Sequence, residues 1–383
     1  MITEKLFYED QYMRDFDAEV ISCLPRPDGS FGIILDRTAF YPEGGGQPGD
    51  RGMIGSSVVS DTIEECGEIV HVCDSPAQQG SKVCCSIDWD RRFDLMQQHT
   101  GEHIISGMIC RELHCDNVGF HLGEDTVTID YNAPADLERI LAIEEAANRY
   151  IMEDHRAEIF WPNRDELEKL SYRSKKELDG DVRIVSFPGA DICACCGTHL
   201  SSSAQAGPVK VLSVKRFHEG IRIELLCGKR ALDHLMTCWR ENSAVGRELS
   251  APFDSTHSAL LRFIDQTDRL KVRIAELEEE NFSLTADRYA GAGDVCIIKE
   301  PMDTDSLRRL CEAVYSVCGG TCAVFSGTGE NYRYALMAAD DRLQDICRDI
   351  NSSLSGKGGG RNGLAQGSVN ADESSIRDHF HKQ

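Results

Sequence analysis

Two short patterns, far apart in the chain, constrain its fold more than any other feature. The first is His99-Thr-Gly-Glu-His103, inside a stretch of helical period; the second is Cys195-Cys-Gly-Thr-His199. On a helix, residues at i and i+4 share a face with Cβ atoms about 5–6 Å apart, so two imidazoles there can share one ion. A thiolate and an imidazole placed around Gly197 suit a metal-binding turn. Either pattern alone is weak, because paired histidines often sit on an ordinary solvated helix face. Together they offer three nitrogens and one sulfur from two segments, the tetrahedral complement of Zn2+. A fold that binds one zinc per chain must bring these segments together.

Spacing leaves part of the site open. Cys193 and Cys196 compete with Cys195 as the thiolate. Glu102, three residues after His99, either orients a ligand, acts as a base or faces solvent. One thiolate and three neutral imidazoles leave the ion a net cation and a Lewis acid. Four protein ligands nevertheless fill a tetrahedral shell, as in structural sites. Catalysis then requires a fifth ligand or a displaced one.

The 383 residues suggest two or three domains at ~150 residues each. The fold class is α+β. Residues 1–88 read as a Gly-rich, β-barrel-like domain, with strands at 31–35, 60–73 and 82–89. Within it, Thr38 to Asp50 carries Gly44, Gly45 and Gly46 between Pro42 and Pro48, which excludes helix and regular strand. Residues 89–245 read as an α+β domain holding the zinc site. It has helices over 90–112, capped by Asp90, and 135–153, with strands at 126–131, 183–186, 209–214 and 221–226. Residues 246–290 are a helical linker. Its helix over 255–288 carries a heptad seam: Phe263, Thr267, Leu270, Ile274, Leu277, Asn281 and Leu284. The seam either packs on its own domain or pairs between subunits, with Asn281 fixing register. Residues 291–383 read as a small α/β domain. Its strands lie at 295–298, 322–325 and 334–337, its helices near 305–316 and 342–354, and a polar tail from Glu373 frays.

The formal charge is −23, and residues 1–90 carry 6 basic against 17 acidic groups. That balance argues against broad, non-specific nucleic-acid binding, which needs a basic surface. Local basic clusters remain: Arg173-Ser-Lys-Lys176, Lys215-Arg216, Lys229-Arg230 and Lys357 to Arg361. The 17 cysteines are odd in number and follow no signal-like start, so reduced thiols and a cytoplasmic location are expected. No apolar run is long enough to span a membrane. Neither a Walker loop nor a Gly-x-Ser-x-Gly elbow is present, so ATP-driven chemistry has no support.

These residues resemble a known family. His99-x3-His103 followed by Cys195-x3-His199 is similar to the editing domain shared by alanyl- and threonyl-tRNA synthetases. The upstream loop Phe40-Tyr-Pro-Glu-Gly-Gly-Gly-Gln-Pro-Gly-Asp50, Arg183-Ile-Val before Asp191, and Gly358-Gly-Gly-Arg-Asn-Gly-Leu-Ala-Gln-Gly367 resemble the alanyl branch. The chain begins at the barrel, so the resemblance is to a free-standing alanyl-tRNA editing protein, the long AlaX type. It implies a zinc-dependent hydrolase that deacylates tRNA(Ala) mischarged with Ser or Gly. By position it implies His99, His103, Cys195 and His199 as metal ligands. Gly44, Gly45, Gly46 and Gln47 match the loop beside the site, and Lys357, Gly359 and Arg361 match an RNA-binding signature. Asn117 and Val118 are the nearest candidates for reading the serine, His121 is another polar candidate in that segment, and Gln47 is a candidate catalytic group. A homodimer through the 255–288 helix or the C-terminal domain fits the same pattern.

The competing function is a non-catalytic tRNA-binding protein with a structural zinc. A phosphoesterase would need an Asp-His-His centre, and the nearest sequence is Asp378-His-Phe-His381.

Overall fold

The computed structural model describes residues 3–174 and 182–381, apart from the side chains of Asp340 and His381. Lys175 and Lys176 of the first basic cluster, and the His381 side chain, lie outside the described residues. The chain divides into two compact units, Met1–Asn242 and Ser243–Gln383.

Six strands of the first unit close into a barrel. In barrel order they are Asp15–Pro25, Phe31–Leu35, Glu68–Cys73, Ser57–Glu65, Gly52–Ile54 and Lys82–Ile87. Closure leaves no unpaired strand edge. The first of these strands is absent from the sequence reading. Its signal is plain in retrospect, with Phe16, Ala18 and Val20 buried between exposed Asp15, Asp17 and Glu19. Inside the barrel, Ile33, Leu35, Phe40, Ile54, Val59 and Cys85 form the core.

The helix Trp89–Leu113 leaves the barrel directly. Asp88, not Asp90, caps it, accepting from the Arg91 N–H at 3.2 Å. Asp90 sits inside the first turn. Arg92, fully buried, pairs with Asp50 and donates to Ala39 O at 2.6 Å, so the helix grips both ends of the Gly-rich loop. The rest of the helix is nearly buried all round. An antiparallel sheet ordered Val209–Phe217, Gly220–Cys227, Val127–Tyr131, Asn117–Leu122 lies against it. A second, three-stranded sheet orders Glu158–Phe160, Ile184–Phe187 and Asp191–Ala194. Gly107 permits the second contact, because a Cβ there would stand 2.6 Å from the Asp191 Cβ. That close approach delivers Asp191 to His103, one turn earlier.

In the second unit, a five-stranded sheet runs Gly293–Lys299, Gly319–Thr328, Asn331–Met337, Leu364–Asn370, Lys357–Arg361, with only the first pair parallel. The last two strands form a hairpin across Asn362 (φ 56°) and Gly363 (φ 79°). Asn-Gly is the pair that a tight two-residue hairpin favours. The tail expected to fray is instead a helix, Glu373–His381, with Ile376 fully buried. The helix Thr256–Asp287 packs its second half on the helix Thr304–Cys318, burying Phe282 and Ala286. Arg309 pairs there with Glu278 and Glu279. The seam residues Leu270, Ile274, Leu277 and Leu284 stay exposed, so that packing uses another face.

Candidate metal centre

The two patterns meet. One donor atom from each of His99, His103, Cys195 and His199 lies within 4.8 Å of the others. The histidines are buried, and Cys195 keeps partial exposure. Each imidazole is held by its Nδ1. His99 Nδ1 is 2.9 Å from Gln47 Oε1, His103 Nδ1 is 2.9 Å from Asp191 Oδ2, and His199 Nδ1 is 3.0 Å from Gly197 O. An Nδ1–H held by an oxygen leaves Nε2 as the ligand atom. His99 Nε2 is 3.5 Å from Cys195 Sγ. His199 Nε2 is buried with no hydrogen-bond partner among the described residues, a cost a bound cation removes. The donor set and this orphaned nitrogen both fit zinc.

The electrostatics agree. Burial opposes ionisation of Cys195, but the neighbouring His99, with a hydrogen bond from His103, brings its thiol well below the usual range. Burial, reinforced by His99, lowers His199 to about 3, so it stays neutral. Burial alone would raise Asp191; hydrogen bonds from His103 and Arg173 override it and hold the carboxyl at about 2. Burial likewise opposes His103, yet Asp191 and Cys195 raise it to about 9. By contrast, burial pushes Cys193 up and out of contention as the thiolate.

The loop supplies support. Gly44-Gly45-Gly46-Gln47 is a two-residue turn, closed by reciprocal Gly44–Gln47 backbone bonds of 3.1 and 3.0 Å. Both central glycines have positive φ, 60° and 86°, as a turn of this hand requires. Gln47 is fully buried. Its Nε2 donates to Thr198 Oγ1 at 2.8 Å, and its Oε1 accepts from His99 and from Thr198 N–H at 3.1 Å. Gln47 thus fastens the loop, the helix and the Cys-His turn together.

The other candidates divide. Glu102 is buried rather than solvent-facing, and its Oε1 accepts from Ser106 Oγ at 2.7 Å and Asn117 Nδ2 at 2.9 Å. A bulge at Val118 turns Asn117 inward, and its Oδ1 is buried with no hydrogen-bond partner among the described residues. Phe120, missed by the sequence reading, stacks on His99 at 5.2 Å between ring centroids. His121 follows it in the strand and is exposed, because adjacent strand residues point to opposite faces. It stands away from the donor cluster.

Several residues of the basic clusters pair internally. Arg173 bonds Asp191 through two contacts of 2.7 and 2.8 Å, and Arg230 does the same with Asp94 at 3.0 and 2.6 Å. Lys215 pairs with Glu224 and Lys229 with Asp233. In the second unit, Lys357, Gly359 and Arg361 are exposed on the hairpin. Lys357 shares a cleft of about 550 Å3 with Arg333, Thr328, Asn331 and Asn370. No described helix is long and apolar enough to cross a membrane.

Residues 16–91 match the family described as tRNA synthetases class II (A). Residues 182–224 match the threonyl and alanyl tRNA synthetase second additional domain. The chain is 29% identical to the alanyl-tRNA editing protein AlaX-L of Pyrococcus horikoshii, over 98% of this chain and 97% of that protein. It is 31% identical to an alanine–tRNA ligase of Pyrococcus abyssi, over 96% of this chain but 42% of the ligase. The corresponding ligase of Ignicoccus hospitalis is 33% identical over 72% of this chain and 31% of its own length. The chain thus spans less than half of the ligases it matches. The likeness to the alanyl-tRNA editing protein AlaX-L runs along nearly the whole chain, from the barrel through the Cys-His turn to the C-terminal hairpin.

Proposed function

We propose that the chain is an aminoacyl-tRNA deacylase that hydrolyses the ester of Ser-tRNA(Ala) and Gly-tRNA(Ala). The observation that carries this reading is the buried three-histidine, one-cysteine cluster set against a two-glycine turn. The likeness to the Pyrococcus horikoshii editing protein supports it. A synthetase pocket built for a small side chain separates neighbours differing by one methylene by only ~10–200-fold, so a second hydrolytic site is useful.

His99, His103, Cys195 and His199 would hold zinc, which supplies Lewis acidity beside the ester. The remaining work falls to this chain's residues. Gln47 and Asp191 fix two imidazoles, and Gly197 O fixes the third. The Gly45 and Gly46 backbone N–H groups would donate to the developing oxyanion. The buried Asn117 Oδ1 can accept from the serine hydroxyl, which alanine lacks. Lys357 and Arg361 would contact phosphates of tRNA(Ala), and the exposed seam of Thr256–Asp287 would join two copies. A soluble, cytoplasmic enzyme is consistent with this substrate.

The test is deacylation of Ser-tRNA(Ala), Ala-tRNA(Ala) and Ser-tRNA(Ser) by wild type and Cys195→Ala. Loss of Ser-tRNA(Ala) alone, abolished in the variant together with bound zinc, is the expected result. Zinc binding and RNA affinity without turnover would sink the hydrolase reading and favour the binding protein.

A further inference from the structure

Beside the metal-binding turn stands an aromatic group that the scheme above leaves unused. Trp161 follows the strand Glu158–Phe160 and keeps 49% of its surface exposed. It meets Tyr8 edge to face, with ring centroids 6.0 Å apart, and Tyr8 is backed by Phe7 at 4.5 Å. Arg183 joins this group to the site. Its guanidinium lies 5.1 Å from the Tyr8 ring centre and 5.8 Å from that of Trp161. Its Nη1 donates to Cys195 O and Gly197 O, both at 2.8 Å. Its Nε is buried and has no hydrogen-bond partner among the described residues.

A half-exposed indole held by an aromatic neighbour and a cation is poorly explained by core packing. It is pre-positioned, since Tyr8 and Arg183 limit its rotation before any ligand arrives. The unused Nε–H offers a donor for an acceptor that the described side chains do not provide. One residue, Arg183, reaches both the carbonyls of the Cys-His turn and the indole, and so links the four-donor cluster to the ring. Stacking on an aromatic side chain is the usual way single-stranded RNA bases are held, and it tolerates any base with an open face.

We propose that Trp161, supported by Tyr8 and Arg183, is the platform on which the terminal adenine of the RNA stacks while its ester lies at the four-donor cluster. This rests on the deacylase reading and names where that substrate's last base sits. Trp161 is a binding residue here, outside the chemical step.

The experiment uses zinc-loaded full chain, titrated calorimetrically with adenosine 5′-monophosphate, for wild type, Trp161→Ala and Trp161→Phe, with zinc content and unfolding midpoint measured alongside. Seryl-tRNA deacylation by the same proteins gives kcat and KM. Removing a stacking ring should weaken nucleotide binding and raise KM by about 5- to 100-fold, with kcat and zinc content unchanged and Phe restoring most of the loss. A wild type that binds no nucleotide, or a Trp161→Ala protein that binds it as well as wild type, overturns the platform. Two further outcomes separate the readings. Deacylation that proceeds with KM indifferent to Trp161 ends the platform and spares the enzyme. Trp161-dependent nucleotide binding without any deacylation ends the enzyme reading and leaves a nucleotide site.

Discussion

Gln47→Ala should loosen the metal site without touching a ligand. Gln47 makes three short contacts at zero exposure: with His99 Nδ1 at 2.9 Å, Thr198 N at 3.1 Å and Thr198 Oγ1 at 2.8 Å. Truncation strands two buried donors, the His99 Nδ1–H and the Thr198 N–H. An unsatisfied buried donor costs about 1–3 kcal/mol, so the folded state should lose about 2–6 kcal/mol before any relaxation. The same loss frees the His99 ring to rotate, and residues that orient metal ligands typically account for about 10–100-fold in affinity. Gln47→Glu keeps an acceptor for both donors and should retain most of the zinc affinity. Chelator competition measures that affinity, and urea unfolding of the zinc-loaded protein measures the stability. Zinc affinity within about threefold of wild type for Gln47→Ala would show that His99 is oriented by something else, and the clamp argument would fail.

Three further outcomes follow from particular residues. Gly46→Ala should destabilise by more than about 1–2 kcal/mol, because it adds a contact 2.5 Å from the Phe120 ring to the cost of φ 86°. Gly55→Ala, with φ 58° and its nearest neighbour at 3.8 Å, isolates the backbone cost, and equal urea midpoints for the two would refute the steric part. His71 is buried between Thr38 Oγ1 and Ile33 O, and burial lowers its pKa to about 4. The unfolded chain takes up that proton near pH 6.5 and the folded chain only near 4. His71 therefore contributes stability above pH 6.5 that is lost as pH falls towards 4, about 3 kcal/mol in all. Unfolding free energies of His71→Phe should lack that slope, and an unchanged slope counts against the assignment. Ile274→Lys, on the exposed seam, should convert a dimer to a monomer in sedimentation, whereas a wild-type monomer at the same concentration ends the pairing proposal.

The regular elements were legible where a single rule governed them. The helix Trp89–Leu113 and the strands Val209–Phe217 and Gly220–Cys227 fall where apolar spacing places them. Errors arose where a short polar segment earns its structure from a partner. The strand Asp15–Pro25 is acidic on its outer face and is fixed by pairing with Phe31–Leu35 and Lys82–Ile87. The glycine run after Gly356 shows no apolar alternation, yet each glycine from Gly358 to Gly360 pairs with the strand Leu364–Asn370. Asn362-Gly363 was the local clue to that hairpin.

The site divides along a similar line. Its four donors could be read because their residue types are chemically rare and their spacing is local, His99 to His103 on one helical face and Cys195 to His199 in one turn. What orients His99 and His103 is neither rare nor local. Gln47 reaches His99 across 52 residues and Thr198 across 151, and Arg173 reaches Asp191 across 18. Nothing in the letters Gln, Arg or Asp distinguishes a clamp from a solvated side chain, and Arg173, in a local basic cluster, is such a case. Tautomers are equally invisible in sequence. That all three histidines turn Nδ1 outward, to Gln47, Asp191 and the Gly197 carbonyl, depends on three separate strands and turns arriving around one helix. The common direction of their Nε2 atoms is therefore a property of the assembled fold, and it explains why the least local residues of the site should be the most sensitive to substitution after the ligands themselves.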